Sequence, residues 1–308
     1  MNRDFVIYLV ANHRSQRDCA NLVCSIRAAG CKASIILIPF GGRPVDDQTL
    51  LEDVQVLDQS DFPTAGREFV EEIGHVLSDC PAGFLRRFLA FWGPFERFIY
   101  SDNDIVALSN WDEWFEMTSS YDLVHADEEY TTEGKYNFVR PSVVPEILGE
   151  GALNAAITAG HFAARRSEVL VKDMQRALVW MQTHSEICKM HDQTLMHVAA
   201  LLGNWNCLNL CKPPHNWLSS WAGDYSSPLA LIQAGQTGRR ISHLHFSGFG
   251  PHCYSRAVDP LKLSYLPDVQ RNRILASELV CDISGLRWLQ SKWKRAKYRA
   301  KRYLKHSK

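Results

Sequence analysis

No stretch of 18 or more apolar residues occurs in this sequence, so a bilayer-spanning helix is not expected. The first residues, Met1-Asn2-Arg3-Asp4, run straight into a strand-like segment without an apolar signal core, which points away from secretion and towards the cytoplasm. Paired cysteine motifs are missing too. The nine cysteines are odd in number and scattered, with no Cys-x-x-Cys, a usage that fits reduced thiols in a core better than disulfides or a zinc cage. Net charge is zero, 34 basic against 34 acidic residues, but the zero hides an asymmetry. Residues 287–308 hold ten Lys or Arg and no Asp or Glu, which leaves the other 286 residues with 24 basic against 34 acidic, a balance of −10. An acidic body argues against a long phosphate-tracking surface, so nucleic acid is not an expected partner.

What is present suits a globular α/β protein of one large domain or two smaller ones: 308 residues, 46% hydrophobic and 22% charged. Residues 5–11 form a continuous apolar run. Ser15 with Asp18 three residues on has the look of an N-cap, Cys19, Leu22, Val23 and Ile26 share a helical face, and Gly30 is placed to end the helix. A second strand follows at 33–39. Strand-helix-strand implies parallel pairing, and ligands of such sheets bind beyond the carboxyl ends of strands. Ala11 and Asn12 are therefore candidate nucleotide contacts, although a plain loop would look the same.

Residues 41–63 read as loop with one short strand at 54–57, and 67–77 as a helix. A second, aromatic-rich helix is expected over 83–92; it carries Arg86 and Arg87, either of which could brace a carboxylate or a diphosphate, or simply face solvent. Strands are expected at 121–126, ending in Asp127-Glu128-Glu129, and at 205–210. Residues 138–145, bounded by prolines, read as extended, and 167–183 is the clearest helix of the chain.

The chemistry concentrates in a few places. An apolar strand, Phe98-Ile99-Tyr100, delivers Asp102 and Asp104 into an Asp-Asn-Asp turn with Asn103 between them. Residues two apart on an extended chain face one side, so both carboxylates can reach one hard divalent cation; an ordinary turn cap is the alternative. Small residues around Gly160 suggest backbone kept close to a ligand, or a structural bulge. Asp192 and Gln193 open a helix, where an acid is usually a cap. A strand over 240–246 puts His243 and His245 on one face, as ligands or as packed core histidines.

Taken together, the order and spacing of these pieces resemble the GT-A sugar-nucleotide transferases, and within them glycosyltransferase family 8, whose bacterial members include lipopolysaccharide galactosyl- and glucosyltransferases. The match runs from about Phe5 to Gly248. An Arg-bearing helix precedes Asp102-Asn103-Asp104; a strand-end aspartate follows at Asp127, then Thr158-Ala159-Gly160, Asp192-Gln193 and a late His245-Phe246-Ser247-Gly248. Two positions depart from the family pattern: Thr158 stands where the family has Asn, and Pro251, with His252 beside it, stands where the family has a diphosphate-holding Lys.

The resemblance implies a GT-A mixed sheet flanked by helices, a catalytic domain over 1–255 and a C-terminal extension over 256–308. It implies an enzyme, a hexosyltransferase that takes a nucleotide sugar, most simply a UDP-sugar, as donor and a glycan or glycolipid hydroxyl as acceptor. Mn²⁺ or Mg²⁺ would be held by Asp102, Asp104 and His245, with Mn²⁺ favoured by the imidazole. Donor contacts would come from Ala11, Asn12, Arg86, Arg87, Asn103, Gly160, Gly248 and His252. A retaining transfer would place Gln193 near the anomeric carbon with Asp192 orienting hydroxyls; an inverting one would need a base from Asp127, Glu128 or Asp192. A nucleotidyltransferase or phosphohydrolase could use the same aspartates, but the further acidic cluster or glycine-rich phosphate loop expected of one is missing. A catalytically degenerate nucleotide-sugar-binding protein is the remaining alternative. In the tail, Trp288, Trp293, Tyr298 and Tyr303 interleave with the ten basic residues, a composition suited to an anionic bilayer surface and hence to a peripheral position on the inner face of a membrane.

Overall fold

The computed structural model describes residues 5–77, 80–126, 135–222, 234–246 and 265. The apolar runs of the sequence become the strands, and the chain opens with β1 (Phe5–Ala11), α1 (Gln16–Ala28), β2 (Ser34–Pro39), α2 (Gln48–Asp53) and β3 (Gln55–Val56). Next come α3 (Thr64–Val76), α4 (Ala82–Leu85), a 3-10 run over Arg86–Trp92, β4 (Arg97–Ser101), β5 (Ile105–Ala107), α5 (Asp112–Met117) and β6 (Leu123–His125). The described chain ends with α6 (Val144–Leu148), β7 (His161–Arg165), α7 (Glu168–Thr183), α8 (Asp192–Gly203), β8 (Cys207–Asn209) and β9 (His243–His245).

Among the described residues, seven strands form one sheet in the order β3-β2-β1-β4-β7-β6-β8, and β5 pairs with β9 in a separate ribbon. β1 runs parallel to both β2 and β4, while β7 is antiparallel to β4 and β6. The alternation along each strand explains why both faces are covered. Val6, Tyr8 and Val10 enter one core, with Phe98, Tyr100 and residues of α3, α7 and α8. Ile7, Leu9 and Ala11 enter the other, against α1 and α5. Central strands buried on both faces read as unbroken apolar runs, which is how they stood out.

Four local readings need correction. Residues 138–145 are not extended: Pro141 starts a 3-10 turn and Pro145 lies in the first turn of α6. A proline there gives up only an N–H that has no helical partner, so it starts helices as readily as it bounds extended chain. Residues 83–92 do not make one amphipathic helix. α4 stops at Leu85, Arg86–Trp92 continues as a 3-10 run, and Arg87 to Phe91 are buried without a break, so the segment has no solvent face. Within the stretch taken for loop, Asp47 caps α2 by accepting from the Leu50 amide. Finally, Ser15 does not cap α1 with its side chain. Asn12 instead orders the turn ahead of the helix, its Oδ1 accepting from the amides of Arg14 (2.9 Å) and Ser15 (3.3 Å).

Candidate functional site

β4 ends at Ser101, and the next residues are tied down on both sides. The Asp102 amide donates to the Gly160 carbonyl at 2.7 Å, just ahead of β7, and the Asn103 side chain donates to the Val10 carbonyl at 2.6 Å, near the end of β1. The turn therefore sits at the carboxyl ends of two parallel strands. His245 reaches it through register. β9 pairs with β5 so that His245 lies opposite Ile105, and the Phe246 amide donates to the Asp104 carbonyl at 2.9 Å.

The result is a cluster of Asp102, Asp104 and His245 whose ligand atoms all lie within 4.8 Å of one another. Nε2 of His245 is 3.4 Å from Oδ1 of Asp104 and 4.0 Å from Oδ2 of Asp102. Octahedral coordination at about 2.1 Å puts neighbouring ligand atoms roughly 3 Å apart and opposite ones roughly 4.2 Å apart, so these three fit around one hard cation. The two oxygens of Asp102 have separate duties. Oδ1 accepts from Tyr100 Oη (2.7 Å) and from Arg87 (3.1 Å), while Oδ2 faces His245. Burial pushes the Asp102 carboxyl up to about 6; Arg87 opposes that and Asp104 adds to it. A cation between the two carboxylates would hold both in the ionised form.

Arg87 is the hub behind the cluster. It is buried, and its guanidinium donates to the carbonyls of Phe84 and Ala159 while pairing with Asp102 at 3.1 Å and Asp192 at 3.2 Å. Burial works against that charge, and the two carboxylates more than offset it. Asp192 thus is not the cap of α8; His191 is, its Nδ1 accepting from the Thr194 amide at 3.2 Å. Arg86 is placed elsewhere, donating to the Pro39 carbonyl at the end of β2.

Two cavities meet at the cluster. One, of about 370 Å³, is lined by Val10, Ser15, Asp18, Phe40 and Phe84 together with the acidic turn and His245. The other, of about 550 Å³, is lined by Arg87, Tyr136, Gly160, Asp192 and Gln193 together with Asp102 and His245. Asp102, His245 and Phe84 belong to both. Ala11 is fully buried next to Val10, which lines the first cavity, and the Asn12 side chain is occupied with the amides of the turn before α1. Gly160 faces the His245 ring: a Cβ there would lie 2.3 Å from Cε1. The His243 ring stands against His161 at 4.1 Å between centroids, so the two strand histidines have different surroundings.

Asp127, Glu128, Gly248, Pro251, His252 and the basic tail lie outside the described residues. Three contributors went unnoticed in the sequence. Tyr100 stands two residues before Asp102, and the strand period alone could have put them on one face. Asn137, which accepts from Gln193, comes from 56 residues away in the chain and left no local signal, whereas His197, which partners Asn137, is one turn on from Gln193 in α8, a spacing that could have drawn notice.

No family model matches the sequence, and no curated protein matches it. Solved structures do resemble the fold. The apo bifunctional glycosyltransferase WbbM superimposes with a TM-score of 0.55 at 12% identity, over 82% of this chain and 47% of its own. The glycosyltransferase GlyE of Streptococcus pneumoniae does so with 0.53 at 12%, over 90% of this chain and 64% of its own. The galactosyltransferase LgtC, in complex with donor and acceptor sugar analogs, gives 0.50 at 12%, over 87% and 99%. This chain spans less than two thirds of the first two. At such identity the likeness is one of fold, and the fold is the GT-A arrangement of a mixed sheet flanked by helices.

Proposed function

We propose that this protein is a glycosyltransferase that moves a hexose from a nucleotide sugar, most simply a UDP-sugar, to a hydroxyl of a glycan such as a lipopolysaccharide core. The observation that carries the reading is the Asp102-Asp104-His245 cluster, set in the wall between two cavities on a GT-A frame. The cavity against the end of β1 suits the nucleoside, and the cavity at the start of α8 suits the sugar and the incoming acceptor. Mn²⁺ or Mg²⁺ at the cluster would neutralise the charge that develops on the departing diphosphate. Within the chain, Arg87 and Tyr100 hold one Asp102 oxygen so that the other points into the cluster. Asp192 has one carboxylate oxygen committed to Arg87 at 3.2 Å, which supports the retaining reading over an inverting one based on that residue.

The basic, aromatic tail over 287–308 is proposed to hold the enzyme on the anionic inner face of a membrane, near a lipid-linked acceptor; its composition supports this, at about 1 kcal/mol per Lys or Arg near the surface. Among the described residues, no helix is long and apolar enough to cross a membrane. Deleting 287–308 should abolish sedimentation with anionic vesicles and spare donor hydrolysis; undiminished vesicle binding by the truncated chain refutes the tail proposal.

The central test supplies the protein with Mn²⁺ and a panel of nucleotide sugars and measures free nucleotide. Asp102→Asn and Asp104→Asn keep shape and delete charge, so they should lower turnover far more than thermal stability. If the wild-type chain releases no nucleotide and modifies no glycan, and the two variants behave as it does, the transferase reading is wrong and a degenerate binding protein replaces it. Release of sugar 1-phosphate instead of nucleoside diphosphate, with the nucleoside monophosphate passed to the acceptor, would turn the reading towards a nucleotidyltransferase.

A further inference from the structure

Gln193 is held by a chain of polar groups that runs away from the cavity into the core. Its Nε2 donates to Asn137 Oδ1 at 3.1 Å; Nδ2 of Asn137 lies 3.0 Å from His197 Nδ1; and His197 Nε2 lies 2.9 Å from the Ala152 carbonyl oxygen. Asn137 and His197 are both fully buried, so no water competes for these partners. The far end decides the rest. A backbone carbonyl only accepts, so His197 carries its proton on Nε2, and its neutral ring offers a lone pair at Nδ1. Asn137 must turn its amide NH₂ towards that lone pair, which leaves its oxygen facing Gln193. Gln193 then commits its nitrogen to Asn137, and its Oε1 is the atom left for the cavity that it lines.

We propose that Asn137 and His197 are positioning residues that fix the Gln193 amide with its oxygen, and not its nitrogen, presented to the sugar-binding cavity. The proposal rests on the glycosyltransferase reading of that cavity. It gives the amide the polarity that the chemistry requires. As a diphosphate leaves, positive charge grows at the anomeric carbon, which the negative end of a carbonyl dipole stabilises and an amide NH₂ would oppose. Burial pushes the His197 imidazole down to about 4, with the Ala152 carbonyl opposing, so the ring stays neutral. A doubly protonated ring would turn Nδ1 into a donor and reverse both amides in sequence. The Asn137 backbone adds rigidity, its carbonyl accepting from Thr194 Oγ1 and from the Lys189 amide, both at 3.0 Å.

Two measurements test this. Long-range nitrogen NMR of the histidine rings, with His197 assigned by its loss in His197→Gln, should show the Nε2-H tautomer unchanged between about pH 7 and pH 5.5. An Nδ1-H tautomer, or a doubly protonated ring in that range, overturns the assignment whatever the protein's activity. In kinetics, Asn137→Ala should lower kcat about 100-fold with donor KM within about twofold, as expected when a reacting group loses its orientation. Asn137→Asp still accepts from Gln193 and should retain more turnover than Asn137→Ala. The variant pair Asn137→Ala with Gln193→Ala should be no slower than Gln193→Ala alone. If the two losses instead multiply, Asn137 acts through something other than Gln193 and the proposal fails. If the wild-type chain transfers no sugar, the functional reading fails, and the NMR measurement still decides the network.

Discussion

A methyl group at position 160 would sit 2.3 Å from Cε1 of His245, inside any real contact, and the backbone cannot retreat because the Gly160 carbonyl accepts from the Asp102 amide at 2.7 Å. Gly160→Ala should therefore push the His245 ring off the cluster, at a cost of about 1–3 kcal/mol in stability and about 10- to 100-fold in Mn²⁺ affinity. Thermal unfolding and titration calorimetry check the two halves separately; unaltered Mn²⁺ affinity would return His245 to an ordinary core histidine. At this scale the sequence was readable where spacing alone carries the geometry. Asp102 and Asp104 are two apart, and Gly160 stood out among small residues. Arg87 was weighed equally with Arg86, because nothing in adjacent letters says which of two arginines turns inward. The answer lies in Asp192, over a hundred residues later.

Three parts of the fold converge on that arginine: the turn after β4 through Asp102, α8 through Asp192, and the segment before β7 through the Ala159 carbonyl. A lysine has one compact charge and cannot serve this spread of acceptors, so Arg87→Lys should not behave as a conservative change. Arg87→Met goes further and removes the charge, leaving two carboxylates uncompensated, and its expected loss is about 3–5 kcal/mol, read as a lower denaturant midpoint together with weaker nucleotide binding. A midpoint within experimental error of the wild type would mean that the two carboxylates find other partners. Element existence was legible where the period is long and undisturbed, as in α7, whose Leu170, Met174, Leu178 and Met181 are all buried, and in β1 and β4. It failed over 138–145, where two prolines start helical turns, and in part over 83–92, where α4 gives way to a 3-10 run buried from Arg87 to Phe91.

Over the whole molecule, the sheet order decides where chemistry can occur. Parallel β1 and β4 end on the same edge, antiparallel β7 begins there, and the β5-β9 ribbon brings in a histidine from the far end of the described chain. Such an edge was foreseeable from the strand-helix-strand opening; the ribbon was not, because its pairing spans about 140 residues and its two strands are only three residues each. The buried histidines that support this arrangement also set an acid limit on the fold. Burial holds His197 down to about 4, against a Ala152 carbonyl that opposes it, and holds His161 well below its ordinary range, with His243 and His245 adding to the effect. Both are therefore neutral when folded, whereas the unfolded chain takes up protons on them near pH 6.5. Between those values the unfolded state binds more protons, so the stability from these sites is complete above about pH 6.5 and falls as the pH drops towards the folded-state values. For His197 the shift corresponds to about 3 kcal/mol. The matched measurement is the difference in unfolding free energy between the wild type and His197→Gln, which cancels every other titration. That difference should move against the wild type by about 3 kcal/mol between pH 7 and pH 4. A difference independent of pH would show that His197 titrates alike in both states, and that the neutral ring on which the Asn137 and Gln193 orientation depends is not imposed by burial.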